Sequence, residues 1–147
     1  MYVSNILSLK RFHGAETGNT HECLLKLSIG RVRLDLLPEI KEGLTDIEGF
    51  SHLFVLWLFD RAAGYDLLVT PPTATRPHGV FATRAPRRPN PIGLTVVQLL
   101  RREGPRLHVR GLDMVDGSPI LDLKPYLSSV PAEHLQRGWL ATAEARR

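Results

Sequence analysis

Alternating and continuous apolar positions along the chain predict a protein built mainly of short β-strands. Arg31–Leu37 alternates polar and apolar residues, which is the two-residue period of a strand with one buried face. His52–Asp60 is an almost continuous run of aromatic and β-branched residues, typical of a central strand buried on both faces. Gly93–Arg101 and Arg106–Leu112 flank the turn sequence Glu103-Gly104-Pro105, so they are predicted to form a hairpin.

The helical signals are weaker than the strand signals. Pro38–Phe50 has room for one or two short turns, and Pro131–Ala145 is expected to begin a helix at its proline and to be interrupted or ended at Gly138. Ser118–Leu123 reads as one more short strand, after the turn residues Asp116-Gly117. Strands and long helices do not alternate along the chain, so a doubly wound nucleotide-binding fold is not expected. The short strands with turn residues between them predict a β-barrel or a β-sandwich.

Length and composition point to one globular domain over residues 1–147. The chain has 147 residues, 43% of them apolar and 23% charged. The longest apolar run, Leu53–Phe59, is far shorter than the ~20 residues of a membrane span, and no apolar stretch follows Lys10 and Arg11 to form a signal peptide. Cys23 has no second cysteine to pair with and is interpreted as a packing residue. We therefore expect a cytoplasmic protein with no membrane segment and no metal.

The net charge of +4 is unevenly distributed. Leu67–Arg102 contains six arginines and no Asp or Glu, which leaves a net charge of −2 for the other 111 residues. Between Gly79 and Leu94 this stretch includes three prolines in six residues, which fix φ and make a long, Pro-rich loop stiff. The loop is either a structural connector or a site for an anion, such as a phosphate, a carboxylate or a nucleic acid, and its arginines favour the second interpretation.

A second segment whose polar side chains are candidates for catalysis or binding runs from Gly111 to Tyr126. Asp116 is expected to stabilise the turn Asp116-Gly117-Ser118-Pro119. Asp122 and Lys124 are two residues apart and therefore lie on one face of a strand. They form either an exposed salt bridge of little energetic value or, with Tyr126, part of a polar pocket.

Three blocks of this sequence resemble the TrmO (TsaA-like) family of S-adenosylmethionine-dependent tRNA methyltransferases. The blocks are Phe50-Ser-His-Leu53, Gly79–Leu94 with its Arg-Pro-Asn-Pro-Ile-Gly core, and Leu112–Tyr126, and the resemblance extends from about Arg31 to about Leu127. It implies a single small β-barrel that acts as a homodimer. It also implies N6-methylation of threonylcarbamoyladenosine beside the tRNA anticodon, with S-adenosylmethionine as the cofactor.

The resemblance also assigns cofactor contacts to positions of this sequence. Those positions are Asp60, Arg61, Arg84, Leu94, Leu112, Asp113 and Met114, with Leu112–Met114 approaching the cofactor through its backbone. Asp60-Arg61 stands where the family usually has a His followed by a polar residue. The N-terminal part departs further, since Tyr2–Ser4 is at most a remnant of the family's first strand and His13–Cys23 lacks its Pro-Arg-Gln-like segment.

Methyl transfer from a sulfonium needs alignment more than it needs a metal or a covalent nucleophile. The catalytic set is predicted to be Asp122, Lys124 and Tyr126, with Asp122 or Asp113 receiving the proton of the acceptor nitrogen and Tyr126 either stacking on the target base or packing. Arg87 and Arg88 are predicted to contact the phosphates of tRNA, and Asn90 is predicted to bind the RNA substrate with them. Methylation of a small molecule, or S-adenosylmethionine binding without catalysis, are the alternative functions.

Overall fold

A computed structural model of the chain describes residues 31–127, 129–134 and 136–145. The predictions for Tyr2–Ser4 and His13–Cys23 lie outside the described residues. The strands are β1 (Arg31–Asp35), β2 (His52–Leu58), β3 (Leu68–Val69), β4 (His78–Gly79), β5 (Ile92–Glu103), β6 (Arg106–Arg110) and β7 (Ile120–Pro125). The helix α1 spans Trp139–Glu144, and 3₁₀ helices span Pro38–Leu44, Ile47–Gly49, Val80–Ala82 and Ala132–His134. A mainly β protein with a few short helices is confirmed.

Five of the strands form one antiparallel sheet in the order β1-β6-β5-β2-β7, and β3 pairs with β4 separately. The expectation of a closed barrel is wrong for the described residues, because β1 and β7 are the two edges of an open sheet and do not pair with each other. Closure depends on which edge strands meet, and a pattern of apolar residues specifies a strand without specifying its partner.

The predicted hairpin is present, and its turn explains its sequence. Glu103 pairs with Arg106, so Gly104 and Pro105 form a two-residue loop. Gly104 has φ +60, a left-handed value that the first position of a type II′ turn requires. A register shift between Leu99 and Arg101 gives β5 a bulge.

One face of the five-stranded sheet carries the core. Leu53, Val55 and Trp57 of β2 are buried, while the residues between them are half-buried. The prediction that β2 is buried on both faces is therefore wrong, although β2 does lie between two other strands. Because β2 carries aromatic and branched residues on both faces, its sequence does not show the alternation of burial that the structure has. The same face buries residues of β1, β5, β6 and β7, among them Leu34, Val97, Leu107, Val109 and Ile120.

The chain divides into two compact units. The sheet unit contains the described residues 31–61 and 91–126, and the loop unit contains those of 62–90 and 127–145. The sheet unit holds all five strands of the large sheet, and the loop unit holds β3, β4 and α1. Assignment of the whole chain to one domain stays a prediction.

Within the described part of the chain, no helix has the length and apolar character needed to cross a membrane.

Candidate functional site

A buried polar chain in the sheet unit ends on Asp113. Thr95 is 6% exposed at an inward position of β5, and its hydroxyl accepts a hydrogen bond from Trp57 Nε1 at 3.2 Å. The Thr95 hydroxyl in turn donates to Asp113 Oδ1. Asp113 is half-buried and makes no ion pair with any residue that the structure describes. The carboxylate is thus held by a neutral donor, which leaves its charge available for a cation.

Gly93 makes room for the first member of this chain. Gly93 and Trp57 are directly opposite each other on β5 and β2. A Cβ on Gly93 would lie 2.6 Å from Cζ2 of the Trp57 indole, closer than real carbon atoms approach. Glycine at this position therefore lets the indole lie flat over the neighbouring strand, where its N–H meets Thr95.

Leu112 and Met114 flank Asp113, and their side chains belong to the core. They are 0% and 1% exposed, respectively. The side chains of Leu112 and Met114 are consequently occupied by packing, so these two residues have only backbone groups to offer a ligand.

Another group of predicted residues shares the outer face of the sheet, opposite the core. Leu56 of β2 pairs with Leu94 of β5 on one side and with Asp122 of β7 on the other. Residues paired in this way point to the same face, and two strand spacings separate Leu94 from Asp122 by about 10 Å. Leu94 and its apolar neighbour Ile92 are each 45% exposed, and Val96 is 40% exposed.

Asp122 and Lys124 lie on one face of β7, as their spacing predicted, and form an ion pair there. Lys124 Nζ lies 2.6 Å from Asp122 Oδ2, and Asp122 Oδ1 accepts a hydrogen bond from the backbone N–H of Leu123 at 2.9 Å. Both side chains are substantially exposed, so the pair contributes about 0–1 kcal/mol. Tyr126 packs edge-on against Phe54, with 5.1 Å between the ring centroids, and remains 41% exposed.

A bulge in β7 changes which leucine enters the core. Trp57 pairs with Ile120 and Leu56 with Asp122, so Leu121 has no partner on β2. Leu123 packs against the core as expected, but Ile120 is the fully buried residue and Leu121 is only half-buried. The expectation that Leu121 points into the core is wrong, since the extra residue shifts the alternation by one position.

Asp60 and Arg61 directly follow β2. Arg61 Nη2 donates to the backbone carbonyl of Asp116 at 2.9 Å, and Gly117, with φ +80, lies against the same guanidinium. Arg61 therefore binds the turn that follows the Leu112–Met114 segment. Asp60 is exposed.

The loop unit contains the four remaining predicted residues, Arg84, Arg87, Arg88 and Asn90. Arg87 Nε lies 2.7 Å from Asp66 Oδ2, and Arg88 Nη1 donates to the carbonyls of Thr83 and Ala85 at 3.1 and 3.3 Å. Arg84 and Asn90 are exposed. Both arginines that were expected to contact phosphates, Arg87 and Arg88, thus already make intramolecular contacts.

Sequence reasoning missed Thr95 and Trp57, which hold Asp113. A signal was present, because Thr95 is a polar residue at an inward position between Gly93 and Val97. An inward hydroxyl on a strand needs a buried partner, and that partner was not identifiable without the fold. Arg76, His78 and Trp139, which line a groove in the loop unit, were also not singled out.

Among the ionisable groups, Glu103 at the end of β5 has a perturbed pKa. A hydrogen bond with the His108 side chain, aided by the charges of Arg101 and Arg106, lowers the pKa of Glu103 below its ordinary value of 4.5. The described residues contain no group of three or more His, Cys, Asp or Glu side chains placed to hold a metal ion.

Comparison with known proteins defines the class of this open antiparallel sheet. The family model for the tRNA-methyltransferase O N-terminal domain matches residues 25–132. The chain therefore belongs to that family. A crystal structure of TrmO from Pseudomonas aeruginosa has a TM-score of 0.68 and 31% identity, covering 94% of this chain and 62% of that one.

Two curated relatives show the range of the family. A probable S-adenosyl-L-methionine-binding protein of Archaeoglobus fulgidus is 50% identical over 113 residues, which are 76% of this chain and 31% of the relative. A tRNA (adenine(37)-N6)-methyltransferase of Mus musculus is 39% identical over 101 residues, which are 67% of this chain and 23% of the relative. This chain thus spans less than a third of the length of either relative.

Proposed function

We propose that this chain binds S-adenosylmethionine and carries out the N6-methylation of an adenosine in tRNA. The observation that carries the proposal is Asp113, a half-buried carboxylate positioned by Thr95 and without an ion-pair partner among the described residues. The names of the relatives support the cofactor and the reaction. Methylation of threonylcarbamoyladenosine beside the anticodon is the specific reaction that we propose.

The residues present fit the chemical groups of the cofactor. The half-buried carboxylate of Asp113 is suited to the ammonium group, as is the exposed carboxylate of Asp60. The family resemblance adds Arg84, whose guanidinium is chemically suited to a carboxylate. Leu94 offers apolar surface, and the backbone of Leu112–Met114 offers hydrogen-bonding groups. S-adenosylmethionine, when bound, supplies a methyl group on a positively charged sulfur. Arg61 supports these contacts indirectly by fixing the Asp116 turn.

Asp122 is the proposed acceptor of the proton that the substrate nitrogen loses. Its carboxylate holds the ion pair with Lys124, and because that pair is exposed it is weak enough to be displaced by a substrate. Lys124 then carries a positive charge beside the reacting face, and Tyr126, 41% exposed, is proposed to stack on the base. A purely structural salt bridge is the competing explanation for Asp122 and Lys124.

The proposed tRNA contacts are Arg87, Arg88 and Asn90 in the loop unit. Arg88 keeps Nε and Nη2 available for a phosphate after Nη1 has bound the two carbonyls. Arg87 would have to exchange its exposed pairing with Asp66 for a phosphate. Asn90, between two prolines, is restricted to an extended backbone and is therefore presented in a fixed direction.

Calorimetric titration with S-adenosylmethionine tests the cofactor site. Asp113→Asn is expected to weaken binding about tenfold or more, because a half-buried charge partner of the ammonium is lost. Asp46→Asn is the matched control, since Asp46 is exposed at φ +66, a conformation that Asn also tolerates. Equal affinities for the wild type and Asp113→Asn would remove Asp113 from the site.

Transfer of a tritiated methyl group tests the reaction. Wild-type protein is expected to label tRNA from a strain that lacks the modification, and not a small-molecule extract. Asp122→Asn is expected to lower kcat while leaving cofactor affinity unchanged, and full kcat in this variant would make the Asp122–Lys124 pair structural. Cofactor binding without transfer to either acceptor would indicate a binding protein instead of an enzyme.

A homodimer in the cytoplasm completes the proposal. The outer face of β5 exposes Ile92 and Val96, two apolar side chains suited to contact with a second copy. Light scattering after size-exclusion chromatography is expected to give twice the chain mass. Val96→Glu is expected to shift the mass to that of a monomer, and a monomeric wild type would refute the dimer.

A further inference from the structure

We infer that a groove in the loop unit, centred on Arg76, binds a backbone phosphate of the RNA substrate. The groove has a volume of about 220 Å³ and is lined by side chains that include Thr73, Thr75, Arg76, His78, Trp139 and Thr142. The inference rests on the proposed tRNA substrate and adds a contact that the family resemblance does not assign.

The arginines of the acid-free stretch differ in how their guanidinium groups are used. Arg87 is paired with Asp66, and Arg101 with Glu103. Arg102 is only 14% exposed in its side chain and donates to the carbonyls of Leu44 and Lys41. These groups serve internal contacts, so the high positive charge of the sequence is largely neutralised or engaged at those positions.

Arg76 is different. Its closest polar contact is 3.5 Å from Nη1 to the carbonyl of its neighbour Pro77, which is at the limit of a hydrogen bond. It has no acidic partner in the part of the chain that the structure describes. Because Arg76 precedes a proline, its backbone is held extended. The guanidinium is therefore a cation without an acidic partner at the wall of a groove.

The other polar groups of the groove are also suited to an anion. The lining residues include Thr73, Thr75 and Thr142 and no Asp or Glu, and within the described ranges these three hydroxyls have no hydrogen-bond partner. Hydroxyl and guanidinium donors around one space, without an acceptor carboxylate, are the donors that phosphate oxygens need.

Trp139 and His78, which both line the groove, are held in place by contacts within the loop unit. Their rings are stacked, with centroids 4.2 Å apart and an interplanar angle of 19°. Trp139 Nε1 donates to the carbonyl of Ala82 at 2.9 Å, and His78 pairs with Val69 in the β3–β4 ribbon. These contacts order two of the residues that line the groove, which lowers the entropy that a ligand loses on binding beside them.

The size of the groove argues for a phosphate with part of its sugar. Clefts for drug-sized ligands occupy roughly 300–1,000 Å³, so a space of about 220 Å³ is too small to enclose a whole cofactor. The openness of one side to solvent suits a long polyanion that continues beyond the groove. An RNA backbone meets both conditions.

Binding of tRNA at several salt concentrations tests the inference. Arg76→Gln is expected to weaken binding roughly three- to tenfold near physiological salt and to reduce the slope of log K against log salt by about 0.7–0.9, as for one lost phosphate contact. Arg76→Lys is expected to keep most of the affinity. Arg137→Gln is the matched control, because it removes the same charge from an exposed pair with Glu144. Affinity for S-adenosylmethionine is expected to be unchanged in all three variants.

A second measurement separates this groove from the proposed reaction. The chain has two tryptophans, so its ¹⁵N spectrum has two indole signals, and Trp139→Phe assigns them. A single-stranded RNA hexanucleotide is expected to shift the Trp139 signal in the wild type and not in Arg76→Gln, while the Trp57 signal stays in place.

The outcomes are distinct. If wild-type protein fails to bind tRNA but the hexanucleotide shifts Trp139, the proposed substrate is wrong and the groove stands. If Arg76→Gln and Arg137→Gln bind tRNA equally, or the hexanucleotide leaves Trp139 unmoved, the groove is not an RNA site. If inorganic phosphate shifts the Trp139 signal and the hexanucleotide does not, the groove is a site for a free anion and the RNA contact is overturned.

Discussion

The sheet unit and the loop unit are stabilised by different interactions. In the described part of the sheet unit, thirteen buried apolar residues form one cluster on a single face of the sheet. In the loop unit, only His78 and Val80 of the described residues are buried. The sheet unit therefore depends on apolar packing, whereas the loop unit depends on prolines, turns and individual hydrogen bonds.

This difference matters for where binding groups can stand. A close-packed face tolerates few changes, so the sheet unit can hold Asp113 in a fixed position through Thr95 and Trp57. The loop unit exposes most of its polar groups, which leaves guanidinium and hydroxyl donors accessible. The packed core of the sheet unit thus holds a carboxylate beside it in a fixed position, whereas the loop unit presents its donors at the surface.

The largest effect should come from a cavity in the core of the sheet unit. Leu107→Ala, at a fully buried position of β6, is expected to lower the free energy of unfolding by about 2–5 kcal/mol. Leu67→Ala is the loop-unit control, 61% exposed, and is expected to change it by less than about 0.5 kcal/mol. Urea denaturation gives both values, and equal losses would contradict the contrast between the units.

A methyl group added at Gly93 should have the next largest effect. Gly93→Ala forces Trp57 from its place over β5, at an expected cost of about 1–3 kcal/mol. Gly79→Ala in the loop unit is the matched control, because its φ is −58 and no atom lies within 4 Å of the added carbon. Gly79→Ala is expected to be neutral or stabilising by about 0.4–1 kcal/mol. Thermal unfolding of both variants checks the opposite signs.

Removal of one indole N–H from each unit should give smaller, local effects. Trp139→Phe loses the hydrogen bond to Ala82 and is expected to cost about 0.5–1.5 kcal/mol. Amide hydrogen exchange should accelerate in the loop unit and stay unchanged in β5 and β6. Trp57→Phe, which frees Thr95, should accelerate exchange in the sheet unit instead. Acceleration in both units by either variant would show that they do not open separately.

The smallest effect should come from Glu103 on the surface of the sheet unit. Because its pKa is lowered in the folded protein, its stabilising contribution is present above the ordinary value of 4.5 and is lost as the pH falls through the folded pKa. Glu103→Gln should therefore be less stable than the wild type at pH 7 and equal to it near pH 3. His108→Gln should remove most of the same difference, since the hydrogen bond with His108 is the main cause of the lowered pKa. A difference that persists at pH 3 would exclude the ionised carboxylate as its source.

The local elements followed from the sequence to a large extent. Alternation placed β1, and three of the four 3₁₀ helices, together with α1, fall within Pro38–Phe50 and Pro131–Ala145. Turn chemistry located the β5–β6 hairpin, because the turn position at φ +60 favours a glycine, and Gly104 occupies it. The spacing of Asp122 and Lys124 also sufficed to place both on one face of β7. These features depend on residues close together in the chain.

The pairing of distant segments was decided by the tertiary structure. The sequence did not reveal that β1 and β7 remain open edges, that a bulge moves Ile120 into the core in place of Leu121, or that Thr95 reaches Asp113. Charge shows the same division: composition located the arginines between Leu67 and Arg102, but only the fold distinguished Arg87, paired with Asp66, from Arg76, which faces a groove. Periodicity and turn propensity act over a few residues, whereas strand partners, bulges and ion pairs depend on which remote atoms the folded chain brings within reach.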